Sequence, residues 1–108
     1  MKNEKKQINE EIKNRFEGKV VATRGVGSGV VVGRCITIEG NSIILTDAYF
    51  LGEWKYEKSF GSMHSLSTGD ILPGGQIAKI AKEIIITDLA NAVICPEDML
   101  KKCDKYSN

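Results

Sequence analysis

Gly29-Val30-Val31-Val32-Gly33-Arg34-Cys35-Ile36-Thr37-Ile38-Glu39 runs into Gly40-Asn41 and returns as Ser42-Ile43-Ile44-Leu45-Thr46-Asp47-Ala48. Two runs rich in β-branched residues, separated by Gly-Asn, read as a β-hairpin, because a two-residue loop needs positive φ, which these residues tolerate. An antiparallel β core is therefore expected at the centre of the protein. Strand alternation puts Val30, Val32, Arg34, Ile36 and Ile38 on one face and Val31, Gly33, Cys35, Thr37 and Glu39 on the other. The first face is the more apolar and is the expected core face. Arg34 then stands in a mostly apolar row and needs a partner, a ligand or an edge.

Upstream, Val20 and Val21 mark a strand over Lys19–Thr23, and Gly25-Val26-Gly27-Ser28-Gly29 reads as a glycine-rich turn. Further upstream, Ile8, Ile12 and Phe16 recur every four residues within a polar stretch, which predicts an amphipathic helix over residues 3–17, with Asn3 as a candidate cap and Gly18 as its stop. Such a stripe either docks on the protein's own sheet or serves as an oligomer contact. Downstream, Tyr49–Trp54 continues the return strand past a bend at Gly52. Lys55–Pro73 is polar and reads as a long loop with a short helix near Met63–Leu66. Pro73-Gly74-Gly75 reads as a turn, Gln76–Ile80 as a short strand, and Glu83–Thr87 and Asn91–Cys95 as two more strands around Asp88. Pro96-Glu97-Asp98 opens a short C-terminal helix that reaches about Lys102.

The expected fold is mainly β: a small antiparallel rolled sheet or partly open barrel with an N-terminal helix and a short C-terminal helix. With 108 residues the chain makes one β-rich domain over 19–103, preceded by the helix of 1–18 and followed by a tail over 104–108. Net charge is +1, whereas duplex nucleic acid binding normally needs a basic excess, so that class is not expected. A local basic pocket for a small anion is compatible with the same balance. No apolar run is long enough to span a membrane, and Met1-Lys2-Asn3-Glu4-Lys5-Lys6 leads into no apolar segment of a secretory signal. Cys35, Cys95 and Cys103 are odd in number and lack C-x-x-C spacing, so the expected compartment is a reducing cytoplasm.

Several stretches invite a chemical reading. The backbone N–H groups of Gly25–Gly29 could form an anion nest, helped by Arg24 and Arg34, or the stretch could simply be a hairpin turn. It is neither a dinucleotide fingerprint nor a Walker loop, since Val30 stands where a third glycine belongs and a strand follows. Tyr49, Phe50, Trp54, Tyr56 and Phe60 concentrate aromatic rings that either stack a base or fill a core or interface. His64 is the single histidine, flanked by serines but without an acid in place to orient it. One histidine and scattered cysteines do not make a zinc site, and no metal or cofactor is expected. Asp47 and Asp88 each follow a Thr at the end of an apolar strand and read as turn-capping side chains. Cys35 reads as a small buried hydrophobe.

From Lys19 to about Cys95 the chain resembles a family of small phage and prophage domains of unknown function. The residues that carry the resemblance are Gly29-Val30 with Gly33, Leu45 with Asp47-Ala48, Leu51 and Trp54, Ser65-Leu66, then Ile84, Ile86, Thr87, Asp88 and Cys95. Tyr49 and Phe50 stand where family members often carry two arginines, and Gly52 replaces the first tryptophan of a W-x-W stretch. The resemblance implies a phage setting inside a bacterial host. By analogy with small β-rich phage proteins that sequester nucleotide signals of bacterial defence, it implies a non-enzymatic binder of a cyclic nucleotide or cyclic ADP-ribose-like molecule. The expected binding residues are Arg24, Gly27, Ser28, Arg34, Tyr49, Trp54 and His64. Unpaired strand edges add an expectation of homo-oligomers. The alternative is a protein-interaction or structural module acting through the N-terminal helix and a sheet edge.

Overall fold

The computed structural model describes residues 2–58 and 62–108, and side chains from Gln7 to Lys58 and from Met63 onward. The side chains of Asn3 and Phe60 lie outside the described residues. The element order is α1 (Lys2–Phe16), β1 (Val20–Gly25), β2 (Gly29–Glu39), β3 (Ser42–Lys55), α2 (Ser62–Thr68), β4 (Leu72–Ile86), β5 (Leu89–Ile94) and α3 (Met99–Tyr106). The strands form one antiparallel sheet in the order β4-β3-β2-β1-β5. The mainly β class with a helix at each end is as the sequence predicts.

Both faces of the sheet are buried, not one. On the first face Val20, Ala22, Val30, Val32, Tyr49, Leu51 and Ile77 meet Leu66 of α2 and Met99 and Cys103 of α3. On the second, Val21, Val31, Cys35, Ile38, Ile43, Leu45 and Ile86 meet Ile12 and Phe16 of α1. Ile36, expected inside, is exposed, and Ile38 joins the second face instead of the first. The cause is a bulge: Cys35 pairs with Leu45 but Thr37 pairs with Ile44, so Ile36 is an extra residue that inverts the alternation beyond it. A second bulge lies on β3, where Arg34 pairs with Thr46 and Val32 with Tyr49. Asp47 occupies it at φ 52, the left-handed region that Asp tolerates better than most residues. Its expected turn-capping role is therefore replaced by a bulge inside a strand.

Other boundaries also shift. The expected turn at Pro73-Gly74-Gly75 and the two strands after it are one 15-residue strand, with Lys55 paired to Leu72 and Glu53 to Gln76. The bulge between those pairs absorbs Pro73 to Gly75, as proline on an edge strand allows. The long loop contains α2. The expected tail belongs to the structure: α3 runs to Tyr106, and the Asn108 amide donates to the Ile77 carbonyl at 2.8 Å. Two of the three α1 stripe residues dock: Ile12 and Phe16 pack on the sheet while Ile8 is 55% exposed.

The sheet is open, yet one peptide group draws its ends together. The Val26 amide donates to the Asp88 carbonyl, and the Leu89 amide donates to the Asn41 carbonyl, both at 2.9 Å. The Asp88–Leu89 peptide thus bridges two hairpin turns that flank opposite ends of β2. A straight strand of that length would separate them by roughly 33 Å at about 3.3 Å per residue. The bulges at Ile36 and Asp47 supply the bend.

Candidate functional site

A cleft of about 570 Å³ opens between the β1–β2 turn and the β3 segment Phe50–Trp54, within the size range of small-molecule sites. Arg24, Val26, Gly27, Phe50 and Trp54 are among its lining residues. A narrower lobe of about 240 Å³ shares Arg24, Gly52 and Trp54 with it and adds Glu53 and Tyr56. Arg24 is exposed on β1, between Val30 of β2 and Asn91 of β5. Phe50 lies opposite Val31 and covers Gly29, where a Cβ would come within 3.0 Å of the ring at a φ of 72°. Glycine is required there on both counts.

Trp54 is the one tryptophan, half-buried against the first core face. Its indole N–H donates to Ser65 Oγ at 2.9 Å. Ser65 is itself fully buried on α2, so the ring is held from a helix that the β3–β4 connection supplies. Asp70 steadies the same connection by accepting from the Glu57 and Lys58 amides at 3.0 and 2.8 Å. A large flat ring in one fixed orientation, beside a guanidinium, suits a planar anion.

The opposite wall is equally ordered, by Asp88, a side chain read as turn-capping that caps the distant β1–β2 turn. The carboxylate of Asp88 accepts from the Gly27 amide at 2.6 Å, the Ser28 amide at 3.0 Å and the Ser28 hydroxyl at 2.8 Å. The glycine-rich turn is thus an anion nest whose anion is a side chain of the protein itself. The hydrogen bond from the Gly27 amide, with those from Ser28, holds the Asp88 carboxyl below the usual carboxylate range. Gly25 is required for the same contact, because a Cβ there would lie 2.7 Å from Asp88 Oδ1. Ser28, expected to bind ligand, orders the turn by holding Asp88 and is not among the residues that line the cleft. Gly27 donates to the same carboxylate while its backbone lines the cleft.

Of the residues expected to bind, the fold brings together Arg24, Gly27 and Trp54. It keeps three others apart. Arg34 donates to the Gly18 carbonyl at 2.8 Å and pairs with Glu97 at 3.2 Å, so the arginine in the apolar row has its partner. Tyr49 is buried, its hydroxyl 2.6 Å from Asp104 Oδ1 on α3, and burial followed by that hydrogen bond pushes its pKa up. Lys79 lies 5.8 Å from its ring centroid. His64 is exposed on α2 and lines neither lobe. Phe50 and Tyr56 were visible as members of an aromatic run, but only strand register shows that they reach the cleft. Asp88 carries no local signal for its role, standing 61 residues from Gly27.

The thiols offer no reactive group. Burial pushes Cys95 and Cys103 up to about 12, and burial with the nearby Glu17 charge pushes Cys35 to about 11. All three stay protonated at neutral pH and pack as apolar side chains. Among the described residues, no group of three or more His, Cys, Asp or Glu side chains is arranged to hold a metal ion. No helix among them is long and apolar enough to cross a membrane.

The chain matches no protein-family model, no curated protein and no solved structure.

Proposed function

We propose that this protein binds and sequesters a small nucleotide-derived molecule in the Arg24–Trp54 cleft, without turning it over. One observation carries the reading: the Trp54 ring, pinned through its N–H to Ser65, lines the same cleft as Arg24. Base stacking on such a ring contributes about 1–3 kcal/mol, and a guanidinium supplies the charge that phosphates require. A pre-formed wall lowers the ordering cost of binding, which favours tight binding and slow release. The resemblance to phage domains makes a host immune signal, a cyclic nucleotide or a cyclic ADP-ribose isomer, the expected ligand. It makes antagonism of host defence the expected role.

Native mass spectrometry of the protein purified from cells, with and without cyclic dinucleotides, cyclic trinucleotides and cyclic ADP-ribose isomers, tests this directly. Release of an intact nucleotide at fixed stoichiometry supports it. A protein that ignores the whole panel overturns it.

A second reading, an interaction module or homo-oligomer, draws on the edge strand β4. Ile80 and Ile85 are 43% and 61% exposed there, and β4 is paired only on its β3 side. An exposed apolar edge is a template for further strand pairing. Light scattering of the wild type and of Ile85→Lys tests the oligomer: if both are monomers, self-association through β4 is wrong.

A further inference from the structure

The cleft has two unequal lobes, and their linings differ in chemistry. The wide lobe is bordered by the backbone of Gly25, Gly27 and Gly29 together with Arg24. The narrow lobe is bordered by Trp54 and Tyr56, with Arg24 and the carboxylate-bearing Glu53. At about 240 Å³ the narrow lobe is too small for a complete drug-sized ligand, but two aromatic residues and one acid are among the residues that line it. Glu53 pairs through its backbone with Gln76, and its side chain makes no hydrogen bond or ion pair among the described residues.

Resting on the nucleotide reading of this cleft, we infer that the narrow lobe takes the base, and that Glu53 selects guanine, which narrows the expected ligand from cyclic nucleotides and cyclic ADP-ribose isomers to a guanine nucleotide. An ionised carboxylate is acceptor-only, with two oxygens able to receive two parallel donors. The guanine edge presents two adjacent donors, the ring N1–H and the exocyclic amino group. Adenine presents one donor beside a ring-nitrogen acceptor, and that lone pair faces the second carboxylate oxygen. Uracil and thymine present a single N–H between two carbonyl oxygens, which both repel the carboxylate. Stacking on Trp54 and Tyr56 is indifferent to base identity, because every base has a π face. Discrimination in this lobe therefore falls to Glu53. The sugar and phosphates then extend into the wide lobe, where the glycine backbone admits close approach and Arg24 provides positive charge.

A bidentate match of this kind is worth roughly ten- to hundredfold in affinity against the wrong base. Isothermal titration of the full chain with cyclic di-GMP, cyclic di-AMP, GMP and AMP measures it, on the wild type and on Glu53→Gln. The expected result is at least a tenfold preference for the guanine ligand of each pair. Glu53→Gln should remove or reverse that preference, since a carboxamide offers one donor and one acceptor, the pattern that adenine complements. Circular dichroism of the variant confirms that an exposed substitution leaves the fold intact. Equal affinity for both bases, or a preference that survives Glu53→Gln, overturns the role of Glu53 while nucleotide binding stands. No heat with any of the four overturns the base assignment, and the nucleotide reading falls with it only if cyclic trinucleotides and cyclic ADP-ribose isomers give no heat either.

Discussion

The Asp88 carboxylate lies 2.6 Å from the amide of Gly27, across 61 residues of chain, and turns a glycine-rich loop into a closed structural joint. The same residue receives the Val26 amide on its carbonyl, while the next amide, that of Leu89, reaches Asn41. One short connection between β4 and β5 therefore holds both hairpin turns and sets one wall of the cleft.

Asp88→Asn is expected to lower the melting temperature at neutral pH, because the amide presents its NH₂ to donors and leaves one of them unpaired. The sign of the pH dependence follows from the depressed carboxyl. A group with a folded pKa below its unfolded value, near 3.9 for Asp, stabilises the fold above that value. The benefit is lost as pH falls through the folded pKa. Melting curves at a series of pH values should show the largest gap between wild type and Asp88→Asn above about pH 4, narrowing in more acid buffer. A gap independent of pH would show that the charge contributes nothing.

Arg24 and Arg34 are equal in charge and unequal in placement. Arg24→Gln should weaken nucleotide binding about tenfold or more, the loss of one charge-assisted hydrogen bond. Arg34→Ala should leave affinity unchanged and cost no more than about 1 kcal/mol, since its pairing with Glu97 is half-exposed. Equilibrium titration beside thermal melting separates the two. Loss of binding in Arg34→Ala alone would refute this placement of the site.

Tyr49→Phe keeps the buried ring and removes the hydroxyl that Asp104 accepts at 2.6 Å. A stability loss of about 1–2 kcal/mol is expected, because the acceptor is charged but solvated. Ligand affinity should not change. Denaturant melts, read with hydrogen exchange of α3, locate the effect: faster exchange confined to that helix is the expected signature.

Gly33 is packed where a side chain cannot follow. A Cβ at this position would meet Leu45 Cβ and the Thr46 carbonyl at 3.0 Å each. Gly33→Ala should therefore destabilise the protein by about 1–3 kcal/mol through overpacking, in spite of the lower chain entropy of alanine. Urea melts check it, and a neutral outcome would mean that β2 and β3 can move apart without cost.

Sequence reading succeeded where the determinants are local. The Gly40-Asn41 hairpin needs only a permissive loop between two β-branched runs, and Gly40 indeed sits at φ 58. The α1 helix needs only its apolar spacing, and the half-buried positions of Ile12 and Phe16 follow from the same stripe. Trp54 and Arg24 are singled out by residue type, and the fold places both on the lining of one cleft. Reading failed where one residue changes the count. A single extra residue at Ile36 or Asp47 reverses every face beyond it, and periodicity cannot register a bulge whose partner strand is unknown.

Amino-acid order by itself determined the mainly β class, the β2–β3 hairpin and the end helices of this protein, because turn chemistry and hydrophobic period act within a few residues. Tertiary structure alone decided that the anion nest is filled by Asp88, that Arg34 is neutralised by Glu97, that Tyr49 is tied to Asp104, and that Arg24 shares a cleft with Trp54. Each of these joins residues far apart in the chain. Which charge or ring meets which is set by the bend of β2 and the docking of α2 and α3, and no local propensity encodes either.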